Sequence, residues 1–171
     1  LSELDDSYFN LLSKKFSSKK IKVIKSFINE INDSFDTILY LNVLEHIEKD
    51  IQEINNALER VKSNGHLIIL VPAHNKLYSK FDKAIGHIKR YEMSFFNRLE
   101  PKNGKIENLC YLDSFGYFLY FLNKIFFKEE VYPSKLKIFL WDKFFTPISI
   151  IFDKLLNYKF GKNIICIIKK D

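Results

Sequence analysis

The sequence predicts an α/β fold: a mostly parallel sheet covered by helices on both faces. Three observations predict it. The runs FDTILYL (35–41) and HLIILV (66–71) are apolar almost without interruption, as strands buried on both faces are. Between them, Ile51, Ile54, Leu58 and Val61 recur every three or four positions, the spacing of an amphipathic helix over Glu48 to Lys62. A last apolar run, NIICIIK (163–169), follows long helical segments, so it is expected to pair antiparallel with its neighbour. In open sheets of this kind, ligands sit in the crevice at the carboxyl ends of the strands. The polar stretches after Leu41 and Val71 therefore lie on the functional edge.

The elements follow in order. Asp5 and Asp6 stand where acids favour a helix start, ahead of YFNLLSKKF (8–16) with its helical apolar spacing. IKVI (21–24) reads as a short strand and 35–41 as a buried one. Asn64-Gly65 is expected to end the helix, and Pro72 to stop the strand at 66–71. Glu92 to Leu99 is expected to be a short helix and KIENLCYL (105–112) a strand. Two aromatic-rich helical segments, 115–127 and 136–152, come next, then Gly161 and the closing strand.

Length and composition bound the function. A chain of 171 residues with 47% hydrophobic and 28% charged residues is globular and large enough for one domain with a real core, so 1–171 reads as a single domain. Cys110 and Cys166 have neither metal-site nor disulfide-framework spacing. Residues 1–100 carry 15 basic and 14 acidic side chains; residues 101–171 carry 12 basic and 7 acidic, with 16 of the 27 aromatics. That basic, aromatic half fits either a lysine-rich face over an aromatic core or an anionic membrane surface. Nucleic acid is not expected as a partner, since no arginine follows Arg98 and no binding module is present. No apolar run reaches the roughly 18 residues a membrane span needs.

Two stretches carry chemistry. LNVLEHI (41–47) places Asn42, Glu45 and His46 at a strand end. A Glu-His pair there can orient a ligand or move a proton, while the plainer reading sets Glu45 against a helix dipole. VPAHNKLYSKFDKAIGHIKRY (71–91) packs two histidines, an aspartate and two tyrosines into one loop. Seven and four residues separate His74, Asp82 and His87, no helix face presents two of them together, and no further ligands complete a tetrahedral set. No metal site is expected.

Taken in order and spacing, FDTILYLNVLEHIEKD, ALERVKSNGHLIILVPA and LYSKFDKAIGHIKRY resemble the class I S-adenosylmethionine-dependent methyltransferases, in particular a bacterial subgroup with VLEH, VPAH, GH and RY elements. The tail FGKNIICIIKK resembles that subgroup's closing strand. The resemblance implies a Rossmann-like sheet with its last strand antiparallel and an aromatic-rich helical insertion over 113–158. It implies S-adenosyl-L-methionine as cofactor, with Glu3 on the ribose hydroxyls, Ser26 and Phe27 at the adenine, and Leu41, Asn42 and Val43 beside the transferable methyl group.

On the acceptor side the resemblance implies His46, His87 and Glu45 as catalytic groups, and His74, Tyr78, Asp82, Arg90 and Tyr91 around the substrate. His74 is a further candidate base and Asp82 a further orienter. The acceptor would be a small molecule, a glycan or a lipid-linked molecule. The family's Gly-rich loop has no match: Gly65, Gly86, Gly104, Gly116 and Gly161 are too far apart. The expectation is a partial domain, truncated ahead of Leu1, that lacks the family's first strand. Two other functions stand beside methyl transfer: an inactive fragment or interaction domain, and a membrane-surface module of envelope glycan or lipid synthesis that uses 113–158 for peripheral contact. The expected location is cytoplasmic or at a membrane surface, and no signal for oligomeric state is present.

Overall fold

The computed structural model describes residues 1–16, 20–126 and 134–171. Helix α1 (Asp6–Phe16) opens the chain behind Asp5, whose carboxylate accepts from the Ser7 and Tyr8 amides. Strand β1 (Phe35–Leu41), helix α2 (Asp50–Glu59) and strand β2 (Val61–Pro72) form the predicted strand–helix–strand unit. Two short helices, α3 (Lys80–Ala84) and α4 (Met93–Asn97), precede strand β3 (Gly104–Leu112). Helices α5 (Ser114–Phe126), α6 (Lys135–Leu140) and α7 (Thr146–Leu155) lead to strand β4 (Asn163–Lys170). A π-helical stretch, Trp141–Phe145, joins α6 to α7, and Pro147, which has no N–H to donate to the preceding turn, sits just after it. Of the segment 113–158 expected as an insertion, 127–133 lie outside the described residues.

The sheet order is β1-β2-β4-β3. β1 and β2 pair in parallel, and β4 runs antiparallel to both β2 and β3, as the closing run predicted. One face carries the core. Ile38 and Tyr40 of β1, Leu67, Ile69 and Val71 of β2, and Ile164, Cys166 and Ile168 of β4 pack with Ile54, Ala57 and Leu58 of α2 and with Phe96 of α4. Fully burying each aliphatic side chain there stabilises the fold by about 2 kcal/mol before chain entropy is counted.

Three expectations need correction. First, among the described residues the opposite face is only partly covered: Leu39 and Leu41 are 56% and 51% exposed. Continuous apolar content marked these strands but could not say which face a helix would reach. Second, the helix after β1 ends at Glu59, and the chain enters β2 at Val61. Residues 62–65 bulge out of the ladder, since Phe35 pairs with Val61 and Thr37 with His66. Asn64 takes a positive φ of 63° in that bulge, and Gly65 lets the Asp36 carbonyl come so close that a Cβ would stand 2.6 Å from it. The Asn-Gly pair thus serves a bulge rather than a helix terminus. Third, IKVI forms no strand of the sheet; Ile24 makes one parallel bridge with Ser2.

Candidate functional site

At the carboxyl end of β1, the Asn42 amide donates to the Leu70 carbonyl at 2.9 Å, and Asn42 itself turns left-handed with φ 54°. That turn leaves Leu41 and Val43 exposed and starts a single 3₁₀ turn, Leu44–His46. Leu44 and Glu45 go fully inward, while His46 faces out. The turn is stitched to the loop after β2: the Ile88 amide donates to the Glu45 carbonyl at 2.8 Å, and His46 Nδ1 donates to the Gly86 carbonyl at 3.0 Å.

That loop folds around Asp82. Its Oδ2 accepts from the Ser79 amide (2.9 Å), the Ser79 hydroxyl (2.8 Å) and Arg90 Nη2 (3.0 Å). Its Oδ1 accepts from Arg90 Nε (3.0 Å) and His87 Nδ1 (2.8 Å). Burial alone would raise this carboxyl, but the hydrogen bonds from His87, Arg90 and Ser79 outweigh it and hold it well below the usual carboxylate range. Ser79 and Asp82 form a capping box at the start of α3.

The result is a compact cluster. His87, with its side chain 9% exposed, turns Nε2 toward Glu45 Oε1 at 3.6 Å, and its ring meets that of His46 edge-on at 4.8 Å. Neither carboxylate oxygen of Glu45 has a hydrogen-bond donor among the described residues. Burial pushes the Glu45 carboxyl up, partly offset by the dipole of its own backbone amide and by the nearby His87.

The other predicted acceptor residues have internal partners. The Tyr78 hydroxyl donates to the His87 carbonyl at 2.6 Å. Arg90 is 7% exposed and lies over the Tyr120 ring at 5.0 Å. Tyr91 is 2% exposed and donates to Leu44 O (3.1 Å) and Asp50 Oδ2 (3.0 Å). His74 is separate from the cluster: Nε2 donates to the Gly161 carbonyl at 3.0 Å, and the ring stacks on Tyr111. Desolvation lowers its pKa, opposed by the Gly161 and Glu92 contacts.

On the predicted cofactor side, residues 1–3 run beside residues 22–26. The Glu3 amide donates to the Ile24 carbonyl at 3.1 Å, and the Ser2 hydroxyl donates to the Ser26 carbonyl. Glu3 Oε1 accepts from the Leu4 and Asp5 amides at 2.8 and 2.9 Å. Phe27 is 57% exposed, and its amide donates to Glu30 Oε2 at 3.0 Å.

Two sets of polar residues escaped the sequence reading. Gly86 presents its carbonyl to His46 because a φ of 83° turns the chain there. At the far end of β3, the Asp153 carboxylate accepts from the Asp113 and Ser114 amides at 2.9 and 2.8 Å and caps α5 from α7. Asp113 pairs with Lys162 at 2.9 Å, whose ammonium lies over Trp141 at 3.9 Å. Asp113-Ser114 ahead of an apolar run was the available signal for the α5 start. A surface depression lined by Phe96, Leu99, Ile106 and Leu109 holds none of the predicted residues.

No family model matches the chain, and no curated protein matches it in sequence. Solved structures do resemble it. A SAM dependent methyltransferase from Archaeoglobus fulgidus superposes with a TM-score of 0.51 at 19% identity, covering 99% of this chain and 74% of that one. The N-methyltransferase NodS from Bradyrhizobium japonicum, crystallised with S-adenosyl-L-homocysteine, gives 0.55 at 9% identity, covering 99% and 64%. The [4+2]-cyclase SpnF gives 0.62 at 11% identity, again covering 99% and 64%. The chain thus spans about two thirds to three quarters of the length of these proteins. A likeness at such identities establishes architecture and leaves the reaction to the site. The chain has the Rossmann-like fold of these methyltransferases, its β4 antiparallel within an otherwise parallel set.

Proposed function

We propose that this chain carries the acceptor side, and part of the cofactor side, of an S-adenosylmethionine-dependent methyl transfer. One observation supports it above the others: within a fold shared with methyltransferases, the exposed left-handed turn Leu41–Asn42–Val43 adjoins the Glu45–His46–His87 cluster at the carboxyl end of β1. The residues present fit the cofactor. Both internal hydrogen bonds of Glu3 fall on Oε1, which leaves Oε2 to accept from a ribose diol. The exposed Phe27 ring offers an apolar face to adenine beside Ser26, and exposed Leu41 and Val43 flank the methyl position.

When bound, S-adenosylmethionine supplies a sulfonium methyl group activated enough that alignment and water exclusion carry much of the rate. The chain's own residues do the rest. Asp82 fixes the His87 ring with Nδ1 engaged and Nε2 turned toward Glu45 at the end of β1, beside the acceptor position. The exposed His46 meets the acceptor from the end of β1, with the buried Glu45 behind it. The acceptor belongs to the small-molecule, glycan or lipid-linked classes.

Titration with S-adenosyl-L-homocysteine tests the cofactor half. Saturable one-to-one binding, weakened about tenfold by Glu3→Ala, is expected; no heat of binding overturns it. His87→Ala is expected to lower turnover far more than cofactor affinity, and an equal loss in both removes His87 from the reaction.

A second observation favours a membrane-apposed site. Leu136, Phe139, Phe144, Ile150, Ile151 and Leu155 are exposed on α6, the π stretch and α7, alongside lysines. No helix among the described residues is long and apolar enough to cross a membrane. An apolar, basic face of this kind suits peripheral contact with anionic lipid. Co-sedimentation with anionic liposomes, retained by the wild type and lost on replacing Ile150 and Ile151 with serine, is the expected result; equal recovery of both proteins in the supernatant refutes it.

A further inference from the structure

We propose that Glu45, His46 and His87 form a three-ligand site for a divalent first-row transition ion of the zinc type, open on the solvent side. One donor atom from each side chain lies within 4.8 Å of the other two. The protonation pattern is set by neighbours. His46 Nδ1 faces a carbonyl oxygen at 3.0 Å, and His87 Nδ1 faces the Asp82 carboxylate at 2.8 Å. Both neighbours only accept, so each Nδ1 carries the proton, and in the neutral ring Nε2 is the nitrogen left to bind a cation. A carboxylate behind a histidine is also the usual support for a metal-bound imidazole.

Glu45 supplies the independent observation. Its side chain has no exposure, yet neither oxygen has a hydrogen-bond donor among the described residues. A buried carboxylate without donors is costly, and the 3.6 Å to His87 Nε2 is too long for a hydrogen bond. A cation between the two would complete both groups. Two imidazoles and one carboxylate with a free position is a known donor set for zinc and for iron. Bonds of about 2.1 Å hold tetrahedral ligands roughly 3.4 Å apart, and the donor atoms here already lie within 4.8 Å of one another, so closing the site takes side-chain shifts of no more than about 1.5 Å.

This site departs from the sequence expectation of no metal, which weighed His74, Asp82 and His87. The fold sends His74 to Gly161 and places Asp82 behind His87, while Glu45 and His46 arrive from the end of β1. In the methyl-transfer reading, on which this role but not the site itself rests, the open position would hold an acceptor oxygen and lower its proton affinity.

The test needs no methyl donor. Tag-free, chelator-treated protein is titrated with zinc by calorimetry, and with cobalt(II) while visible absorption is recorded. One ion per chain is expected. Glu45→Gln and His46→Ala should each weaken binding about tenfold or more, and His66→Gln, whose ring pairs with Glu107 elsewhere, should leave it unchanged. Because the His46 ring is exposed, His46→Ala keeps the fold and decides the matter even if Glu45→Gln does not fold. Absence of saturable binding in the wild type, undiminished binding in His46→Ala, or loss in His66→Gln overturns the proposal. A failed methyl-transfer assay leaves it standing.

Discussion

Asp82 accepts five hydrogen bonds from three residues, and its carboxylate is fully buried. Such a group stabilises only while all its partners stay. Asp82→Asn leaves the Arg90 guanidinium buried without its counter-charge and is expected to cost about 3 kcal/mol or more in urea unfolding, where a loss below about 1 kcal/mol would contradict this account. His74 gives a pH dependence of definite sign. Burial lowers its folded pKa below the ordinary 6.5, so the unfolded chain binds the proton first as pH falls. Stability contributed at neutral pH is therefore lost from about pH 6.5 downward, until the folded histidine is protonated too. The urea midpoint should drop less between about pH 7.5 and about pH 5.5 in His74→Asn than in the wild type; parallel drops would remove His74 as a source.

At the scale of elements, β4 is paired on both sides, and Cys166 lies at its centre with its thiol pushed up to about 12 by burial. Cys110 on β3 is partly exposed. A thiol reagent at neutral pH is expected to label Cys110 alone, with Cys166 following only on unfolding; early double labelling would mean that β4 opens readily. The bulge between β1 and β2 makes a separate prediction. Gly65→Ala drives a Cβ against the Asp36 carbonyl and the Val61 side chain, both nearer than 3 Å, and should lower the unfolding free energy by roughly 2 kcal/mol. An unchanged melting temperature would mean that the bulge is not closed.

For the molecule as a whole, the two central strands bind the layers together. Their amides should exchange slowest with deuterium, those of α1, which buries no residue, fastest. The same arrangement assembles the candidate site. β1 and β2 end on one side, so the turn after Leu41 and the loop after Pro72 meet there although about thirty residues separate them in sequence. A cyclase shares this architecture with methyltransferases, so the reaction is decided by the groups on that edge rather than by the sheet.

Much of this was legible beforehand. Apolar runs marked β1 and β4 to within a few residues, because an uninterrupted run of β-branched and aromatic residues has few other ways to be buried, and the mixed run KIENLCYL marked β3. β2 was marked only over 66–71, since its first residues bulge out and carry no pattern. Glu45, His46 and His87 were legible as polar residues at strand ends. What the sequence by itself determined was the strand–helix–strand unit, the later helices and the antiparallel closing strand. Only the tertiary structure decided which polar residues meet: it buried Asp82, Arg90 and Tyr91 as the frame of the loop, sent His74 to Gly161, and set Glu45, without a donor among the described residues, close to His46 and His87. Periodicity is a property of neighbours along the chain, whereas a site is made by side chains some forty residues apart, brought within hydrogen-bond reach by packing alone.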